Sequence, residues 1–204
     1  MSPNLFCYLN YYDDKRWWQC TRTSLAAGLI LASLLIGSQA VWIKAKATLA
    51  QYLIEDVWLL QKQTGDKIPP WPWADTYPTA TLTLPDQSPL YVLAGVSGRN
   101  LAFGPTLQQY TAQPGEHGNV VVYGHNDTHF KGLESLKPGQ LIALENTIGE
   151  RIFYRVSLTE VVNEMDTEWV TDNNEDILTL VTCYPFNSAT VNGPQRYVVV
   201  SKRV

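Results

Sequence analysis

The chain has 204 residues, a formal charge of −4 and 45% hydrophobic residues. That length allows one ordinary domain with an appendage, and that hydrophobic content supports a real core. The mildly acidic balance and the lack of any basic block argue against nucleic acid as a partner, because phosphate binding needs clustered lysine and arginine. The three histidines (His117, His125 and His129) and three cysteines (Cys7, Cys20 and Cys183) lack zinc-ligand spacing. There is no glycine-rich phosphate loop and no internal repeat, so neither a metal nor a cofactor is expected.

Residues 24–43, "SLAAGLILASLLIGSQAVWI", carry no charge and are mostly apolar. About 20 such residues span the hydrocarbon core as a helix. Lys15, Arg16 and Arg22 precede the segment, and Lys44 and Lys46 follow it, so the charge bias is weak. A short tail, one anchor and a large following domain favour a cytoplasmic tail at 1–23 and a domain outside the membrane. The alternative is a cleaved signal peptide with Ser38 and Ala40 before the cut; the long apolar run and long leading segment favour the anchor. In this topology Cys7 and Cys20 lie inside and Cys183 stands alone outside. Exported cysteines commonly pair, but a lone one is either an inert buried thiol or a free reactive one.

From Lys44 to Gly65 the pattern stays helical. Ala50, Leu53, Ile54, Val57 and Trp58 share one apolar face at i, i+3, i+4, i+7 and i+8. This predicts a stalk that packs on the domain or continues the anchor, ended by Gly65 and Pro69–Pro70. "PPWPWADTYP" is too proline-rich for a helix or an inner strand. It predicts a stiff extended connector whose Trp71 and Trp73 strap the helix to the domain; a lid across a cleft is the alternative. Residues 44–73 are therefore stalk and connector, and 74–204 form the main domain.

That domain reads as all-β. "TATLTL" (79–84), "PLYVLAG" (89–95), "NVVVYG" (119–124), "QLIALEN" (140–146), "RIFYRVSLTEVV" (151–162), "DILTLVTC" (176–183) and "RYVVVSKRV" (196–204) are rich in β-branched and aromatic residues between Gly, Pro, Asn and Asp. "ENTIGER" reads as a hairpin turn. "GRNLAFG" and "FKGLESLKPG" hold only single helical turns. Strands at this spacing without long helices predict a closed or nearly closed barrel, or a sandwich.

Three residues at strand ends form a chemical set. His125 follows "NVVVYG", Cys183 ends "DILTLVTC" and Arg196 begins "RYVVVSKRV". If the last two strands pair, the intervening loop returns Arg196 beside Cys183. A thiolate attacks an amide carbonyl well, but a free thiol is mostly protonated at neutral pH. An imidazole can take that proton and later protonate the leaving amine. The resulting oxyanion wants donors fixed in advance, and a guanidinium offers several that never lose their charge.

On these motifs the chain resembles the sortases, membrane-anchored cysteine transpeptidases. "NVVVYGHND" carries His125, "TLVTCYPF" carries Cys183 and "GPQRYVVV" carries Arg196, in the family's order and spacing. "LAFGPTLQQYTAQPGEHGN" also looks like the family's run before the histidine strand, and the resemblance covers roughly residues 75–204. It implies an eight-stranded β-barrel and cleavage of a C-terminal LPXTG-like sorting motif on a protein substrate. It further implies a Cys183 thioester, His125 as acid and base, Arg196 on the oxyanion or substrate, and transfer to an amine of the cell envelope. Thr182 and the Tyr184 backbone N–H are the further candidates for holding substrate or oxyanion. Many sortases follow the histidine with arginine, whereas Asn126 and Asp127 follow it here. With the connector and short anchor, this looks most like sortases of Gram-negative proteobacteria, which would place the barrel in the periplasm.

Two other functions fit the residues: a cysteine endopeptidase that hydrolyses the thioester, and a noncatalytic peptide-binding barrel. The order His before Cys disfavours a papain-like enzyme. His117 and His129 read as structural or solvated, and Asp127, Asp172 and Asp176 as acids that either orient His125 or bind a cation.

Overall fold

A computed structural model describes residues 4–85, 87–171, 174–187 and 193–204. Helix α1 covers Asn4–Thr64, and the chain forms two compact units, Met1–Thr48 and Leu49–Val204. Among the described residues, Arg22–Thr64 is the one helical stretch long and apolar enough to cross a membrane. Its apolar side chains from Leu25 to Ile43 are exposed all round the helix rather than along one face, a pattern compatible with a membrane span.

In the second unit, the last turns of α1 follow the predicted stripe. Ala50, Ile54, Val57 and Trp58 are buried, and Gln61 continues the row. Gln61 donates from Nε2 to Pro78 O at 3.2 Å, and Gln51 from Nε2 to Phe103 O at 2.6 Å. The helix stops where Gly65 takes φ of +76° and its N–H donates to Gln61 O at 2.8 Å. That left-handed conformation suits glycine.

The connector departs from the expected extended strap. The Ala74 N–H donates to Trp71 O at 2.9 Å, closing a turn with Pro72 at its second position. Proline is favoured there because its fixed φ matches that corner. Trp71 packs edge-on against Phe103, with ring centroids 4.9 Å apart. Trp73, at the third position of the turn, is thrown outward and is 79% exposed, so only one of the two tryptophans packs.

Eight strands follow: β1 (Pro78–Thr83), β2 (Leu90–Ala94), β3 (Thr106–Leu107), β4 (Asn119–Tyr123), β5 (Leu141–Asn146), β6 (Arg151–Asn163), β7 (Ile177–Tyr184) and β8 (Gln195–Arg203). They close into a barrel in the order β1-β2-β3-β4-β7-β8-β6-β5. The predicted single turns are helix α2 (Gly98–Leu101) and a 3₁₀ turn at Lys131–Ser135. β3 has only two residues, too few for an alternation signal. It nevertheless closes the wall, pairing parallel with β2 and antiparallel with β4.

The wall β4–β7–β8 positions the candidate site. β4 and β7 are parallel, and β7 and β8 antiparallel. Val120, Val122, Leu178, Leu180 and Val199 face the barrel core. Their neighbours Val121, Val181 and Val198 form a second, outer cluster, packed against Trp169 and Val170 from a 3₁₀ turn (Glu168–Val170) between β6 and β7. Apolar side chains therefore leave both faces of this wall. This explains why "NVVVY" and "ILTLV" read as continuous runs rather than alternating ones.

Candidate active site

The strand register brings the three sequence-selected residues into one row. β4 pairs with β7 through Tyr123↔Val181, and the Gly124 N–H carries that ladder one bond further, donating to Val181 O at 3.1 Å. His125 and Cys183 each stand two residues beyond that pair. On the other side of β7, Cys183 is directly opposite Arg196. Alternation puts Cys183 on the face of Val181, and Arg196 on the face of Val198, which is the outer side of the barrel. His125 is exposed, while Cys183 and Arg196 are half-buried.

Local chemistry holds His125 at the end of β4. Gly124 precedes it because the Phe130 ring lies against its α carbon; an added Cβ would meet that ring at 2.6 Å. The Phe130 N–H returns to His125 O at 2.9 Å, closing the loop. Asn126 Nδ2 donates to Pro185 O at 3.1 Å, tying the loop after the histidine to the loop after the cysteine. In the sequence Asn126 stands out only as a departure from the usual arginine.

Thr182 and Tyr184 stand differently from their expected roles. Thr182 faces the barrel interior, is 2% exposed, and donates from Oγ1 to Gly124 O at 2.7 Å. It fixes the residue before His125 rather than presenting its hydroxyl on the outer face. The Ile177 N–H donates across to Gly118 O, so odd-numbered residues of β7 direct their N–H groups toward β4. The Tyr184 N–H consequently points to β8, where Tyr184 pairs with Gln195. The Tyr184 ring stacks with Tyr197 at 6.4 Å and meets Phe186 edge-on at 6.3 Å.

Arg196 is engaged by its own surroundings. Its Nη1 donates to Gly193 O at 2.6 Å and Gln195 O at 2.9 Å, and its Nη2 to Glu164 Oε2 at 2.6 Å. No sequence signal marked Glu164; it is one carboxylate in the polar run "NEMDTE", brought to Arg196 by the pairing of Val162 with Arg196 across β6 and β8. Among the described residues, His125, Cys183 and Arg196 make no hydrogen bond with one another, and catalytic hydrogen bonds often close only around substrate.

The neighbouring titratable groups sort clearly. Burial lowers the affinity of His129 for a proton, the charge of His125 lowers it further, and Asp127 partly opposes both. Burial pushes the Tyr123 phenol up, so it stays neutral beside the row. Asp176 serves the far end of the wall, accepting from the Gly118 N–H at 3.1 Å and pairing with His117 Nδ1 at 3.0 Å. It therefore does not orient His125. Asp172 lies outside the described residues. Among those residues no group of three or more His, Cys, Asp or Glu is arranged to hold a metal.

A Sortase domain family model matches residues 82–204, more than half of the chain. The chain belongs to the sortase family. It is 34% identical over 116 residues to Sortase D of Bacillus subtilis (strain 168), an overlap of 56% of this chain and 58% of that relative. The barrel is similar to Sortase A from Corynebacterium diphtheriae, with a TM-score of 0.58 at 27% identity, covering 65% of this chain and 63% of that one. It is also similar to sortase C-1 from Actinomyces oris, with a TM-score of 0.55 at 26% identity, over 62% of this chain and 74% of that one.

Proposed function

We propose that this sortase is a membrane-anchored cysteine transpeptidase. It cleaves an LPXTG-like sorting motif through a thioester on Cys183 and passes the acyl group to an amine acceptor of the cell envelope. The single observation that carries this reading is the row His125, Cys183 and Arg196 on three adjacent strands. It unites a nucleophile, a proton carrier and a permanent cation at one edge of one face.

In this mechanism His125 takes the Cys183 thiol proton as Sγ attacks the scissile carbonyl. The oxyanion forms beside Arg196, which stabilises it or holds the substrate backbone. Collapse of the tetrahedral intermediate breaks the C–N bond, and the imidazolium of His125 protonates the departing amine. The acceptor amine then attacks the thioester, gives its proton to His125, and releases Cys183. On the same outer face Thr179, Trp169, Glu168 and Val200 wall a pocket of about 220 Å³, separated from Cys183 by Val181, which is buried under Trp169 and Val170.

Residues 24–43 are the anchor, 1–23 the cytoplasmic tail, 44–73 the stalk and connector, and 74–204 the catalytic barrel outside the cytoplasm. The apolar helical stretch within Arg22–Thr64 supports this placement. The test is to incubate the full chain in detergent with a peptide library, with and without diaminopimelate or a glycine peptide. Product joined to the amine supports transfer; free acid alone replaces it with hydrolysis; uncut peptides that bind replace it with a noncatalytic barrel.

A further inference from the structure

Arg196 sits between two strands that draw on it differently. Cys183 faces it from β7, while Glu164 reaches it from just beyond the end of β6, on the other side of β8. Of the five N–H donors on a guanidinium, Arg196 gives two from Nη1 to the Gly193 and Gln195 carbonyls and one from Nη2 to Glu164 Oε2. Among the described residues, the Nε–H and one Nη2–H have no acceptor. Glu164 is itself fixed, since its backbone N–H donates to Pro194 O at 2.7 Å. The turn that follows it is held by the Met165 N–H on Asn163 Oδ1 at 3.0 Å.

An ion pair this open to solvent, with side chains 26% and 44% exposed, adds little to stability. Its effect is to remove freedom from a long side chain. Donors stabilise an oxyanion best when they are aimed before the charge appears, so no reorganisation is needed as it forms. We propose that Glu164 is a positioning residue for turnover: it locks the Arg196 guanidinium in one orientation on the outer face that also carries Cys183. This rests on the transpeptidase reading above.

The test uses the full chain in detergent micelles, an internally quenched LPXTG-type peptide, and arginine labelled with ¹⁵N. Glu164→Ala should lower kcat about 10- to 100-fold, the scale of a misplaced catalytic group, with KM changed less than about threefold. Glu164→Gln keeps an acceptor oxygen and should retain most of the activity. In an Arg196→Ala background, Glu164→Ala should add no further loss, because the two residues act as a unit. In the NMR spectrum the Arg196 Nη signals should be distinct in the wild type, from hindered rotation, and averaged in Glu164→Ala. An unchanged or raised kcat, an equal loss in the Arg196→Ala background, or averaged signals already in the wild type would overturn the proposal. A wild-type chain that forms no thioester with any peptide would overturn the transpeptidase reading and the role in turnover with it. Distinct Arg196 signals would then still establish the lock itself.

Discussion

The two ends of the β4–β7–β8 wall are built from similar residues and differ in one. At the far end stand His117, Asp176 and Arg203: His117 pairs with Asp176 at 3.0 Å, and Arg203 shares its charge between Glu150 at 3.3 Å and Asp176 at 3.9 Å. At the near end stand His125, Cys183 and Arg196 in the same strand order. Where the middle residue is a carboxylate, it engages Nδ1 of the histidine and the row becomes a polar clasp. Where the middle residue is a thiol, neither ring nitrogen of the histidine has a hydrogen-bond partner among the described residues, and a thiol becomes a nucleophile on losing its proton. The fold supplies the row, and on the proposed function the residue at its centre separates a structural clasp from a catalytic set.

The sharpest way to break this contrast is to remove the thiol or its base. Cys183→Ala should abolish peptide cleavage, and His125→Ala should cost nearly as much, since the thiol then lacks a proton acceptor and the amine a donor. Arg196→Ala should cost about 100-fold or more in kcat if the guanidinium holds the oxyanion. A rise in KM with kcat intact would instead assign it to uniform substrate binding. Arg196→Lys should fail nearly as badly, because lysine keeps the charge and loses the planar fork.

A smaller effect tests how the near row is supported from inside the barrel. Thr182→Val keeps the shape but removes the hydroxyl that donates to Gly124 O. Leaving that carbonyl unmet should cost about 1–3 kcal/mol of stability, measured by chemical denaturation, and should lower turnover by loosening the residue before His125. At the far end, His117→Ala removes an exposed pair. It should change stability by less than about 1 kcal/mol and leave turnover unchanged.

The smallest expected effect is a pH dependence from His129. Its native pKa lies below the ordinary histidine value, chiefly through burial and then through the charge of His125. A histidine held neutral in the native state contributes stability that is present above its unfolded pKa, near 6.5, and is lost as pH falls through the lower native value. An NMR titration should place its midpoint below 6.5. In thermal melts the loss of stability below pH 6.5 should be shallower in His129→Asn.

Much of this was legible in the sequence for physical reasons that act locally. Seven of the strands announced themselves by β-branched runs, and the helical stripe from Ala50 to Trp58 by its 3.6-residue period. The row itself was readable because Cys183 and Arg196 sit near the two ends of one hairpin. What escaped depended on contacts between distant segments. β3 is two residues long and exists because β2 and β4 flank it. Trp73 turned outward because Pro72 made a corner where the composition suggested an extended rod. Thr182 and Tyr184 were placed by proximity to Cys183, yet strand alternation sends the Thr182 side chain to the opposite face and the ladder turns the Tyr184 N–H to β8. Glu164 had no local signature, since its partner lies across a barrel register.

The most direct measurement of the central claim is intact-mass and peptide-map analysis of the full chain after incubation with a sorting-motif peptide library in the absence of amine. An acyl adduct confined to Cys183 is expected, discharged when an amine is added and absent from Cys183→Ala. A folded Cys183→Ala chain that still cleaves the peptides, or cleavage by the wild type with the acyl group on another residue, would contradict it.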